Sequence, residues 1–318
     1  MNQSIEKAFT TQQTKYTMRR AFADAVMAKG FRYYEADAFE PYEAFMKINA
    51  RVKEASMVKL IDYQGSILTL RPDVTTSLIN RVIPHFTNGT ALKLFYDTDI
   101  FYHKKSGAID KSAQFGVEHL ADPNHQTADI EIVELMIHML EGLNVDYTLE
   151  IGNRKFLDTV FSALNIDGDA LRTLKQYIME KNHSDLKKWQ RTMDFDDKQT
   201  PLLDALFTLE GSYQSIVKTV NALPDSARFK ETLNDLERIE KALQSMDKQS
   251  SLTFDLSMLS QYDYYQGVTF LGYVSNVNRA VLKGGRYIPM NIITNKRVPA
   301  IGFTLDMDLL IKAVMQYG

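Results

Sequence analysis

From Arg154 to Asp247 the sequence carries the charge-interspersed periodicity of helices throughout, while the segments on both sides of that run favour strands. Upstream, "KLIDYQGSILTLRPD" (59–73) reads as two strands turning at Gln64-Gly65. "ALKLFYDTDIFYH" (91–103) and "SAQFGVEHLA" (112–121) form a second pair around the polar loop Lys104–Lys111, and "DYTLEIGN" (146–153) is a further strand. Downstream, "SLTFDLSML" (251–259), "YYQGVTFLGYV" (264–274) and "PAIGFTLDM" (299–307) return to strands. A sheet begun before a long helical run and finished after it implies an α+β domain with a helical insertion. The expected division is a core of 1–153 and 251–318, and a mainly helical module of 154–250.

Helices are expected around that sheet. Residues 4–29 place Ile5, Phe9, Phe22 and Val26 at helical spacing, with Gly30 at the C-cap. "VTTSLINRVIPHF" (74–86) and the last residues also read as helices, and 127–141 is amphipathic, with Thr127 as N-cap and Gly142 as its stop. In "FRYYEADAFEPYEAF" (31–45), Pro41 argues for a turn or sheet edge.

Composition narrows the chemistry. The chain has no Cys, which removes disulfides, thiolate nucleophiles and cysteine zinc sites, and its 6 His show no compact ligand spacing, so no metal is expected. A polar N-terminus and the lack of a long uncharged apolar run argue for a cytoplasmic protein rather than a secreted or membrane one. A net charge of −3 offers no broad cationic field for nucleic acid.

One polar pattern stands out. In "QFGVE" (114–118), strand alternation puts Gln114, Gly116 and Glu118 on one face and Phe115 and Val117 on the other. The polar face is either the floor of a pocket or the solvated side of an edge strand.

Four segments, taken in order, resemble the catalytic core of histidyl-tRNA synthetase, a class II aminoacyl-tRNA synthetase. "GSILTLRPDVT" (65–75) is similar to that family's strand ending in Arg-Pro-Glu-Gly-Thr, "QFGVE" to the strand after its motif 2 loop, "YDYYQGVTF" (262–270) to its second histidine signature, and "LKGGRY" with "PAIGF" (282–303) to the approach to motif 3. The resemblance implies a class II synthetase-like antiparallel sheet flanked by helices, and a histidine pocket. Asp73 and Thr75 would meet the ligand ammonium, Gln114 its backbone polar groups and Glu118 an imidazole N–H. Tyr264, Tyr265 and Tyr287 would wall the ring.

The same resemblance implies losses. The motif 2 arginine falls near Phe101-Tyr102-His103, a second catalytic arginine at Ser260, and the motif 3 arginine at Leu309. Without those cations the negative charge that develops on an α-phosphate has no fixed counterpart. Asp37 stands where motif 1 has proline, and no anticodon-binding domain is expected after 318. A pocket kept while adenylation residues are lost is similar to a paralogous family, the regulatory subunits of ATP phosphoribosyltransferase. That implies no catalytic residue, no cofactor and no tRNA partner. It further implies a short-form ATP phosphoribosyltransferase catalytic subunit as partner, histidine as feedback ligand, and a dimer within a hetero-oligomer. The alternative is a divergent synthetase-like enzyme or amino-acid ligase using Lys104, Lys105 or Arg286.

Overall fold

The computed structural model describes residues 3–49, 52–85, 91–122, 124–246, 251–259, 264–291 and 295–317. Its packing divides the chain into two units, Met1–Tyr147 with Tyr273–Gly318, and Thr148–Gly272. The chain opens with α1 (Gln3–Ala28), whose buried stripe Met18, Phe22 and Val26 recurs every four residues. Gly30, at φ +82, ends it in the left-handed conformation open to glycine. Then come β1 (Arg32–Tyr33), β2 (Phe39–Pro41), α2 (Tyr42–Ile48), β3 (Lys59–Ile61), β4 (Ile67–Leu70), α3 (Val74–Val82), β5 (Leu92–His103), β6 (Ile109–Leu120) and α4 (His125–Glu141).

The turn between β3 and β4 forms where Gln64-Gly65 predicted it. The Asp62 carboxylate accepts from the N–H groups of Gln64 and Ser66, both at 2.8 Å, and Gly65 takes φ +83. α4 starts earlier than expected. Asn124, not Thr127, is its N-cap and accepts from the Thr127 N–H at 3.3 Å, because the amide oxygen there reaches an otherwise orphan donor of the first turn.

The chain continues through β7 (Tyr147–Asn153), α5 (Arg154–Leu164), α6 (Gly168–Met179), α7 (His183–Gln190), α8 (Gln199–Ala205), β8 (Glu210–Gly211), α9 (Tyr213–Asn221), α10 (Ala227–Ser245), β9 (Leu252–Asp255) and β10 (Tyr265–Val274). β8 is the short exception to the helical run; it pairs antiparallel with β9, which pairs parallel with β7. Helix faces bury against one another here, as in the Phe156–Phe229 contact between α5 and α10 at 5.5 Å. The remainder is β11 (Leu282–Tyr287), β12 (Met290–Asn291), β13 (Lys296–Arg297), β14 (Ala300–Asp306) and α11 (Met307–Tyr317).

In the first unit the main sheet runs β1-β5-β6-β14-β11. Its pairs are antiparallel except β1 with β5, which is parallel, so the sheet is mixed. A second sheet runs β2-β4-β3. On β6, Phe115 and Val117 are fully buried, and Phe115 meets Phe22 of α1 edge-on at 5.7 Å, so one face of this strand is core.

Candidate functional site

Glu118, opposite Gly302 on β14 and Leu94 on β5, lies on the other face of β6 and is only 2% exposed. Such a burial requires partners. Thr75 donates its hydroxyl to Glu118 Oε1 at 2.7 Å, and Tyr287 donates its phenol to Oε2 at 2.7 Å. Thr75 sits in the first turn of α3 and Tyr287 at the end of β11, so three separate elements converge on one carboxylate. A Cβ at Gly302 would fall 2.2 Å from Glu118 Oε2 and 2.4 Å from the Val117 carbonyl oxygen; the absent side chain is what lets the carboxylate lie across β14.

Asp73 is the N-cap of α3, accepting from the Thr76 N–H at 2.9 Å and its hydroxyl at 3.0 Å. Gln114 lies half-buried on the polar side of β6, between Thr98 and Asp306 in register. Between Gln114 and Glu118 the face is filled by a residue that sequence reasoning missed. The ring of Tyr96 lies over Gly116, its hydroxyl 3.0 Å from Thr304 Oγ1, and it packs with Ala36 and Val74. A glycine inside a strand opposite an aromatic was the available signal. In the second unit, Tyr264 and Tyr265 place their ring centroids 4.5 Å apart. The structure thus joins Thr75, Glu118 and Tyr287 by hydrogen bonds, sets Asp73 and Gln114 on the elements that carry them, and pairs Tyr264 with Tyr265.

Of the basic side chains that an enzyme reading would use, two are ion-paired. Arg286, 5% exposed, pairs with Asp129 of α4, its Nε 3.2 Å from Oδ1. Burial pulls its guanidinium down to about 10, still charged at neutral pH. Lys104 pairs with Asp110 at 2.6 Å, which raises its pKa, and Lys105 is exposed at the β5–β6 tip. In the Phe101-Tyr102-His103 stretch, near which the motif 2 arginine was expected, the Tyr102 hydroxyl lies 3.5 Å from Asp110, and Leu309, expected at the motif 3 position, gives its N–H to Asp306 at 3.0 Å. Ser260 lies outside the described residues. Among those residues no group of three or more His, Asp or Glu is placed to hold a metal ion, and no helix is long and apolar enough to cross a membrane.

Glu40 of β2 is a buried carboxyl beside α3, 1% exposed. Burial raises its pKa above the ordinary value, outweighing a hydrogen bond from Ser77 and the charge of Arg81. A carboxyl whose folded-state pKa is raised contributes full stability below its unfolded pKa, and that stability is lost as pH rises through the folded value. Glu40→Gln is therefore expected to leave urea unfolding unchanged well below pH 4.5 and to raise the midpoint progressively above it. A wild-type-like midpoint for the variant in mildly alkaline buffer would contradict the assignment.

A groove of about 410 Å³ lies between α1, α4 and α11, lined by Phe22, Met139, Leu143 and Val314 among others. Among the described residues its lining carries His138 and the neutral polar side chains Gln13, Thr14, Thr17 and Asn144 but no Asp, Glu, Lys or Arg, so it offers no carboxylate to an ammonium group.

A family model described as histidyl-tRNA synthetase matches residues 10–310. An ATP phosphoribosyltransferase regulatory subunit from Bacillus cereus is 28% identical over 317 residues, 98% of this chain and 74% of that protein. Among solved structures, an ATP phosphoribosyltransferase regulatory subunit/histidyl-tRNA synthetase from Bacillus halodurans aligns with TM-score 0.83 and 24% identity, covering 95% of this chain and 79% of the other. The ATP phosphoribosyl transferase (HisG:HisZ) complex from Thermotoga maritima aligns with TM-score 0.70 and 18% identity, covering 91% and 96%. At these identities the structural likenesses establish the class II synthetase-like fold.

Proposed function

Because the chain belongs to the histidyl-tRNA synthetase family, we propose that it serves as a regulatory subunit of ATP phosphoribosyltransferase, binding free histidine for feedback control of a separate catalytic subunit. The observation that carries this reading is the buried Thr75–Glu118–Tyr287 cluster, beside the expected loss of adenylation arginines near Phe101-Tyr102-His103 and at Ser260 and Leu309. Glu118 would accept from an imidazole N–H of the ligand, Asp73 with Thr75 would meet its ammonium, and Gln114 its backbone polar groups. The name of the Bacillus cereus relative supports the assignment of role. The enzyme alternative draws no support from Lys104 or Arg286, whose charges are already paired. The reading implies a cytoplasmic protein without metal or cofactor.

The test is phosphoribosyl transfer by this chain mixed with a short-form catalytic subunit, across a histidine titration. Histidine inhibits only if it binds the inhibited state more tightly than the active one, and allosteric couplings of this kind are typically about 1–3 kcal/mol. Glu118→Gln is expected to weaken calorimetric histidine binding by on the order of 1.5–3 kcal/mol, by removing the charged acceptor of a desolvated hydrogen bond. The complex should still assemble and turn over but resist histidine. Full histidine sensitivity in the folded, assembled variant would place the sensing site elsewhere.

We further propose that two copies associate through the small sheet. The β2-β4-β3 register puts Phe39, Pro41, Leu60, Leu68 and Leu70 on one side, and Phe39 is 49% exposed there. An exposed apolar face can meet its own copy across a two-fold axis. Phe39→Glu is expected to halve the mass measured by light scattering; an unchanged mass would exclude this face.

A further inference from the structure

Arg71, two residues before the α3 N-cap and only 6% exposed, makes five side-chain hydrogen bonds, every one to a neutral oxygen. Its Nε and Nη2 donate to the Asp99 carbonyl at 3.0 and 2.8 Å, Nη1 donates to the carbonyls of Ala36 and, at 2.8 Å, Asp37, and Nη2 also donates to Thr98 Oγ1. Its main chain repeats the pattern: Arg71 N–H donates to the Ala38 carbonyl at 2.9 Å, and its carbonyl accepts from Phe101 N–H at 3.0 Å. Among the described residues no carboxylate touches the guanidinium, and the charges of Asp99, Glu40 and Asp37 at longer range offset only part of the cost of burying it. What the guanidinium supplies is five donors in one rigid plane, which hold the 36–38 segment and residues 98–99 of β5 at fixed separation; an ammonium cannot span those acceptors.

The held point is where the pocket begins. Pro72 fixes the next backbone φ, Asp73 caps α3, and Thr75 reaches Glu118 from the first turn. We propose that Arg71 is a positioning residue for the ligand pocket, fixing the first turn of α3 against β5 and β6 so that the Thr75 hydroxyl stays bonded to Glu118. Sites of this kind lose function when supporting groups let the contact side chains drift by about 1 Å. This inference rests on the pocket reading above, and its test separates the two.

The primary readout needs no ligand: the carboxyl ¹³C resonance of Glu118, assigned in the wild type by its loss in Glu118→Gln. Thr75→Val should move it. Arg71→Lys should move it in the same direction, and should add almost nothing in a Thr75→Val background. Thr98→Val, which removes one acceptor and keeps the arginine, should give a smaller shift of the same sign and stands in if Arg71→Lys does not fold. Calorimetric titration with histidine is the second readout, with about a tenfold weakening expected for Arg71→Lys and a change below about twofold once Thr75 is valine. An unmoved resonance in folded Arg71→Lys, or equal effects of that change with and without Thr75, would overturn the proposal and leave Arg71 a general packing residue. Failure of the wild type to bind histidine would instead overturn the pocket reading, while the resonance still decides the role of Arg71.

Discussion

Arg286→Met is expected to destabilise the protein by about 3–5 kcal/mol in urea unfolding, because it strands the Asp129 carboxylate inside the first unit. Asp129 is 2% exposed and lies in the first turn and a half of α4, facing β11, and among the described residues no other cation pairs with it. The informative control is the double variant Arg286→Met with Asp129→Leu. Removing both charges together should recover most of the loss, since a buried pair replaced by well-packed apolar groups is often close to neutral. A single variant that unfolds like the wild type would mean that the pair is solvated in solution.

Gly302→Ala carries the second large effect, and it acts on stability and on the site at once. The added methyl would lie 2.4 Å from the Val117 carbonyl oxygen, a backbone atom held in the ladder between β6 and β14, and 2.2 Å from the Glu118 carboxylate. The side chain can swing away; the carbonyl cannot move without opening the sheet. A loss of about 3 kcal/mol is expected, the upper end of the usual cost of overpacking. Any swing of Glu118 breaks its bond to Tyr287. Histidine affinity should therefore fall by more than an order of magnitude, as in Glu118→Gln. A thermal midpoint and affinity both equal to wild type would show that the strands separate freely here.

Much of this was legible in the residues because it depends on local periodicity. The alternation in "QFGVE" places Phe115 and Val117 in the core and Glu118 on the opposite face, since side-chain direction in a strand is set by parity alone. Gly65 and Gly30 marked a turn and a helix end because both need positive φ. What stayed hidden depends on pairs distant in sequence. Nothing local says that Gly302 faces Glu118, that Tyr96 covers Gly116, or that Arg286, a candidate catalytic cation on sequence grounds, is committed to Asp129 157 positions earlier. The Asn124 cap was overlooked for a smaller reason: Thr127 also fits the cap preference, and only the geometry shows which side chain reaches back to a free N–H.

The β5–β6 hairpin, paired without a break from Leu92↔Leu120 to His103↔Ile109, also constrains how this sequence can change length. Its tip is closed by the Lys104 N–H on the Ala108 carbonyl at 2.9 Å, and residues added there in pairs, one to each arm, leave the parity of every position below untouched. A single residue inserted between the tip and Gln114 has no such freedom. Unless a bulge absorbs it, Val117 would turn to the polar face and Glu118 into the apolar layer beneath α1. Insertions and deletions in descendants of this chain should therefore accumulate at the tip in even numbers and be rare along the arms, so that the lineage can vary what the hairpin end touches while the carboxylate keeps its side of the sheet.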